Sequence, residues 1–145
     1  MRLAGFLGAA GLGLIMIMCS AMSSALSGAA AQSGLARFQG AWLSGSADCA
    51  EVYASSGKEA SFKRPVDIFA PAFIVTGSRL RTPQATCRIK SARATGDRQL
   101  LVLDCANSVA GSEVRVLMSL QPDGSLRRYF NERDTTGTEY KQCSR

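Results

Sequence analysis

The sequence predicts an all-β domain, a small antiparallel meander that closes into a barrel of about seven or eight short strands and carries two disulfides. Three observations predict it. Apolar residues alternate with polar ones at period two through 85–93, 98–105 and 113–120. Compact turn sequences, Thr95-Gly96-Asp97 and Pro122-Asp123-Gly124, separate these runs. Four cysteines, Cys49, Cys87, Cys105 and Cys143, are spread through the same part of the chain. The 145 residues make one domain the natural count after an N-terminal leader.

The leader is read over 1–31. Arg2 is the only charged residue before Arg37, and Leu12-Gly13-Leu14-Ile15-Met16-Ile17-Met18 is a strong apolar run. Small residues follow, and Ala29-Ala30-Ala31 fits cleavage before Gln32, with Ser23-Ser24-Ala25 as an earlier option. A charged start, an apolar stretch and an A-x-A exit describe a secretory signal peptide. The rival readings are an uncleaved anchor and a lipoprotein acylated at Cys19, where Met18 occupies a position that expects a small residue. Cleavage after Ala31 leaves a domain over 32–145, lowers the net charge from +6 by one, and removes Cys19. No membrane span then remains, and a periplasmic or secreted location is expected.

An even set of cysteines in a small exported domain reads as disulfides. Hairpin geometry suggests the pairing. A three-residue loop at Thr95-Gly96-Asp97 sets Cys87 opposite Cys105, Arg88 opposite Asp104 and Ile89 opposite Leu103. Register keeps Cys87, Ile89, Leu101, Leu103 and Cys105 on one face. Directly opposed cysteines can bridge where the Cβ atoms are closest. Cys49 and Cys143 are the remaining pair, and barrel closure would bring them together. Cys49–Cys87 with Cys105–Cys143 stays open as the alternative.

The next hairpin is set by Gln121-Pro122-Asp123-Gly124-Ser125, in which Pro presets φ and Gly accepts the left-handed position. It pairs Leu120 with Leu126, Met118 with Arg128, Val116 with Phe130 and Leu117 with Tyr129. Further strands are expected at Phe38–Leu43, Val66–Ala70, Phe73–Gly77 and Thr138–Cys143. Asp48–Pro65 is polar and irregular, with Asp48 and Glu51 at capping-box spacing for a short helix.

The chain has no His, which removes imidazole bases, Ser-His and Cys-His nucleophile pairs and His metal ligands. Without C-x-x-C or His, no zinc site is expected, and no cofactor or catalytic residue is assigned. A carboxylate-pair hydrolase needs two acids across a cleft. Glu51, Glu59, Asp67, Asp97, Asp123 and Glu132 fall in turns or on outward positions, so a solvated surface is the simpler reading. The basic residues, among them Arg79, Arg81, Arg88, Lys90, Arg93, Arg115, Arg127 and Arg133, are scattered over strands and read as a partly paired surface, with an anionic envelope component as the functional alternative. Aromatic interleaving is too thin for a nucleic-acid platform.

Arg128 stands out because the register turns it to the face of Met118 and Leu120. An unpaired buried guanidinium is costly, so a barrel mouth, an acid partner or a polar pocket is expected there. Trp42, the only Trp, sits on the first strand in Gly40-Ala41-Trp42 and is read as a plug for one end of the core.

This G-x-W on a first strand resembles the calycin-type proteins, including lipocalins and bacterial secreted-protease inhibitors. Together with Cys49, Cys87, Cys105, Gly137, Tyr140 and Cys143 it is also similar to small periplasmic proteins of alphaproteobacteria. The resemblance implies a barrel, a basic residue (Lys141 or Arg145) packed over Trp42, and, from the inhibitors, an N-terminal trunk at Gln32–Arg37. The expected function is a non-enzymatic binding or inhibitory module acting on an unknown envelope partner. A structural or stress-related envelope protein without a ligand site and a small hydrolase are the alternatives.

Overall fold

The computed structural model describes residues 34–54 and 59–144. The proposed signal peptide, Cys19 and Arg145 lie outside the described residues. Eight strands follow in chain order: β1 (Gly40–Ser44), β2 (Ala72–Thr76), β3 (Arg79–Arg81), β4 (Thr86–Thr95), β5 (Arg98–Ala106), β6 (Gly111–Leu120), β7 (Leu126–Tyr129) and β8 (Thr138–Ser144). Each pairs antiparallel with the next, and β8 returns to β1, closing the barrel. Closure pairs β1 on both sides and so leaves no unpaired sheet edge. A four-residue helix, α1 (Cys49–Val52), lies in the long β1–β2 connection. Its first turn is capped as the Asp48/Glu51 spacing predicts, with the Asp48 N–H donating to Glu51 Oε2 at 3.2 Å. No helix among the described residues is long and apolar enough to cross a membrane.

Both sulfur bridges are present, Cys49–Cys143 and Cys87–Cys105. Cys87 and Cys105 are directly opposed on β4 and β5, as are Arg88–Asp104 and Ile89–Leu103. The turn beyond them differs from expectation. Thr95 pairs with Arg98, so the loop is Gly96-Asp97 alone, with Gly96 at φ 62°. A bulge between Ile89 and Ser91 absorbs the extra residue. Beyond it the inward positions of β4 switch parity, and Ala92, not Ser91, faces Leu101. One extra residue on one strand of a ladder has this effect, and the turn error and the bulge cancel at the cysteines.

In the β6–β7 hairpin Leu120–Leu126, Met118–Arg128 and Leu117–Tyr129 pair as the turn sequence predicts. Val116–Phe130 does not. The carboxylate of Asp134 accepts the N–H groups of Phe130 (2.9 Å), Thr136 (3.0 Å) and Gly137 (2.9 Å), which draws the chain out of the ladder after Tyr129. Gly137 allows the loop to close. Its φ is 67°, and a Cβ there would meet the Arg128 carbonyl and the Tyr129 ring at 3.1 Å.

One expected strand needs correction and one strand was not expected. Val66–Ala70 is a turn, held by the Phe69 N–H on Asp67 Oδ1 (2.9 Å) and the Ala70 N–H on the Asp67 carbonyl (3.2 Å). The side chain of Asp67 competes for the local donors that a ladder would need. Conversely, β3 spans only three residues and offers one apolar position, Leu80, too little for a period to register.

The core has two layers. Inside the barrel Trp42, Phe73, Val75, Leu80, Ile89, Leu101, Leu103, Val116, Met118, Leu126 and Tyr140 pack together with Leu35 and Phe38. Outside it, α1 and the strand-like segment around Tyr53 and Phe62 cover the outward residues Ala41, Leu43, Ala72 and Ile74. Burial on both faces explains why β1 and β2 read as continuous apolar runs and not as alternating ones. Cys49–Cys143 fastens this cover to β8.

Tyr53 joins the layers. Its hydroxyl donates to the Trp42 carbonyl at 2.5 Å, with the Phe73 carbonyl at 3.2 Å. Burial pushes the phenol well above its ordinary value of 10.0. The protonated form is therefore favoured by folding. The resulting stability is fully present below the unfolded value near pH 10 and is lost as pH rises towards the raised native value. Tyr53→Phe is expected to cost about 1 kcal/mol at neutral pH through the lost hydrogen bond. It should also flatten the alkaline limb of stability above pH 10, measured by urea unfolding across a pH series.

Candidate functional site

The meander puts four connections at one end of the barrel and the chain termini at the other. At the terminal end Leu35 and Phe38 are buried in the barrel core. Trp42 Nε1 donates to the Phe38 carbonyl at 2.8 Å. Gln39 ties the start of β1 to the β2–β3 turn, donating to the carbonyls of Leu35 and Gly77 and accepting the Gly77 N–H at 2.7 Å. These residues cap the core at this end, beside a second, more polar hollow of about 480 Å³ bordered by Arg37, Phe38, Arg93, Asp97 and Gln99. Of the trunk inferred by resemblance at Gln32–Arg37, the described part places Leu35 in the barrel core, next to Phe38 at the end of that segment.

Trp42 is fully buried and stacks on Phe73, ring centroids 6.4 Å apart. Lys141, one of the two basic residues implied by the resemblance, reaches the Ala47 carbonyl at 2.7 Å; the other, Arg145, is outside the described residues. The cation–aromatic contact occurs elsewhere, with the Arg98 guanidinium 3.6 Å from the Tyr129 ring centre. Arg98 also donates to the Asp134 carbonyl at 2.7 Å, which binds the 130–137 loop to the barrel wall. Nothing in the spacing of the sequence marked Arg98 for this role.

The opposite end is open. A cavity of about 540 Å³ enters the barrel between the 66–71 turn, the β3–β4 loop and the starts of β6 and β8. Its walls are mostly apolar: Ile68, Phe69, Pro71, Phe73, Leu80, Leu103, Val114, Val116 and Met118, with the Cys87–Cys105 bridge along one side. Eight-stranded barrels have an interior just large enough to be filled by side chains or to hold one small ligand. Here Trp42 is fully buried in the core, and the apolar cavity opens at the far end.

The polar groups of the rim are largely occupied by the loops themselves. Gln84 Nε2 donates across the opening to the Ile68 carbonyl at 2.7 Å. Asn107 Oδ1 accepts the N–H groups of Val109 and Ala110, both at 2.8 Å. Thr82 Oγ1 accepts the Ala85 N–H at 3.0 Å. At the 130–137 loop, the N–H groups of Phe130 and Gly137 hold the Asp134 carboxyl below the usual carboxylate range.

One charged side chain lines the cavity, Arg128. It is cross-strand to Met118, facing the interior as the hairpin register predicts, and it is exposed at the mouth. Its neighbour Arg127 points the other way and meets Glu139 at 3.6 Å. The other ion pairs of the described residues, Arg88–Asp104, Lys90–Glu113 and Arg98–Asp97, leave Arg128 out. No Asp or Glu lines this cavity, and no group of three or more potential metal ligands occurs among the described residues.

The large apolar side chains left exposed among the described residues are Ile68 (50%), Phe69 (81%), Val109 (89%) and Phe130 (91%). Ile68 and Phe69 line the cavity, while Val109 and Phe130 stand on the β5–β6 and β7–β8 loops. Trp42 and Arg128, both singled out in the sequence, are therefore at opposite ends: Trp42 builds the floor and Arg128 the rim. No protein-family model, curated protein or solved structure matches this chain, so the case for its function rests on this mouth.

Proposed function

We propose that the chain is an exported, non-enzymatic binding module of the cell envelope, on a calycin-like plan, that holds a small apolar ligand in the mouth of its barrel. The carrying observation is the mostly apolar cavity of about 540 Å³ that opens into the barrel at one end, within the size range of small-molecule sites. The exposed apolar side chains of Ile68 and Phe69 on the cavity lining support the same reading. Two bridges in a small domain support an oxidising compartment, and the leader read over 1–31 supports export.

The test uses the oxidised chain and a neutral fluorophore such as N-phenylnaphthylamine, whose emission rises in apolar surroundings. Saturable binding at one site per chain is expected. Val114 is half-buried on the cavity wall opposite Leu103. Val114→Trp should fill the space with an indole and weaken the probe at least about tenfold, about 1.4 kcal/mol, with the far-UV spectrum unchanged. Absence of saturable binding, or full binding by a folded Val114→Trp, would overturn the proposal.

A further inference from the structure

The electrostatics of the mouth narrow the class of ligand, on the reading that the mouth is a binding site. We infer that it takes a single-chain anionic amphiphile, with the acidic head at Arg128 and the alkyl tail among Phe73, Leu103, Val116 and Met118. Arg128 is the one charged side chain of the lining, no acid faces it there, and no ion pair holds it among the described residues. Adjacent Arg127 shows the contrast, because on the outer face it is matched by Glu139.

A guanidinium at the lip of an apolar cavity sits where water is partly displaced, so an incoming anion is attracted more strongly than it would be on an open surface. The planar donor fork also fits a carboxylate or sulfonate in two parallel hydrogen bonds. Below the rim the walls are apolar, and they suit a hydrocarbon chain better than a sugar or a peptide, whose polar groups would go unpaired there. The uncharged polar side chains of the lining are Thr82, Gln84, Asn107, Ser112 and Tyr140, and the loops already engage Thr82, Gln84 and Asn107, which leaves too few groups to satisfy a polyhydroxylated guest. The geometry favours a guest with one charge at one end.

Three probes of equal chain length separate head from tail: decanoate, decanol and decyltrimethylammonium. Each competes with N-phenylnaphthylamine for the oxidised chain at neutral pH. Decanoate is expected to displace the fluorophore at about tenfold lower concentration than decanol, with decyltrimethylammonium weakest, the size of one charge-assisted hydrogen bond reduced by exposure at the rim. Arg128→Gln should erase the advantage of decanoate and leave decanol unchanged. Arg128→Glu should transfer the preference to decyltrimethylammonium. Both variants change an exposed side chain, and far-UV spectra verify their fold. Equal displacement by decanoate and decanol, or a parallel loss of both in Arg128→Gln, overturns the anionic head while the apolar site stands. Failure of all three probes, with no fluorophore bound, overturns the site itself.

Discussion

Replacing Cys49 and Cys143 together by Ser is expected to lower the unfolding free energy by about 4.7 kcal/mol, against about 3 kcal/mol for the same change at Cys87 and Cys105. The two bridges close loops of very different length, with sequence separations of 94 and 18 residues. In the chain-entropy account a longer loop restricts the unfolded chain more, which sets the order of the two effects. The native contacts point the same way. Cys87–Cys105 adds a covalent link between strands already joined by a long ladder. Cys49–Cys143 ties the outer cover of α1 and Phe62 to the last strand, next to the β1–β8 seam that closes the barrel. Losing about 4.7 kcal/mol would consume much of the stability of an ordinary small domain, so the first double variant should be close to unfolded at physiological temperature. Urea unfolding of both double variants measures the order directly. A greater loss at Cys87–Cys105 would show that native-state packing around that bridge, and not loop entropy, dominates.

Much of this barrel is legible in the sequence where short-range geometry decides it. Pro122-Asp123-Gly124 fixes a turn, and the turn fixes the partners of Leu117, Met118 and Leu120. From those follows the inward aim of Arg128. Cys87 and Cys105 are also found by register, although the loop assumed for them was one residue too long and the bulge after Ile89 restored the alignment. A local pattern does not reveal a compensating pair of this kind. Val66–Ala70 misleads because its apolar residues serve the rim: Ile68 and Phe69 line the mouth while remaining exposed, so the hydrophobicity that suggests a strand belongs to a turn. The cavity itself has no signature in the chain. Its walls come from segments between Ile68 and Tyr140 that no spacing relates, and only closure of β8 on β1 assembles them. Arg98 is equally silent, because its guanidinium meets Tyr129 and the Asp134 carbonyl only after the β7–β8 loop folds over β5.

Trp42→Ala is expected to destabilise the domain by about 3–5 kcal/mol, as for other buried aromatic truncations. Three contributions converge at this residue. The indole is fully buried, so its removal leaves a cavity in the core. Its stacking with Phe73 is lost, and Phe73 in turn packs edge-on against Tyr140 at 5.1 Å, so the aromatic layer between floor and mouth loosens. The Phe38 carbonyl loses the donor that holds the N-terminal segment in place. Trp42→Phe separates these terms: it retains most of the buried ring area but not the N–H, and should cost about 1–2 kcal/mol. The two variants also test how the ends of the barrel communicate. Phe73 and Tyr140 line the mouth as well as contacting the floor, so Trp42→Ala should weaken probe binding at the far end, whereas Trp42→Phe should leave it intact. Chemical unfolding gives the stabilities, and fluorophore titration at a temperature where both variants are folded gives the affinities. A Trp42→Ala chain that loses less than about 1 kcal/mol would mean that the N-terminal segment collapses into the vacated space, since the cost of a truncation depends on how well its site can relax.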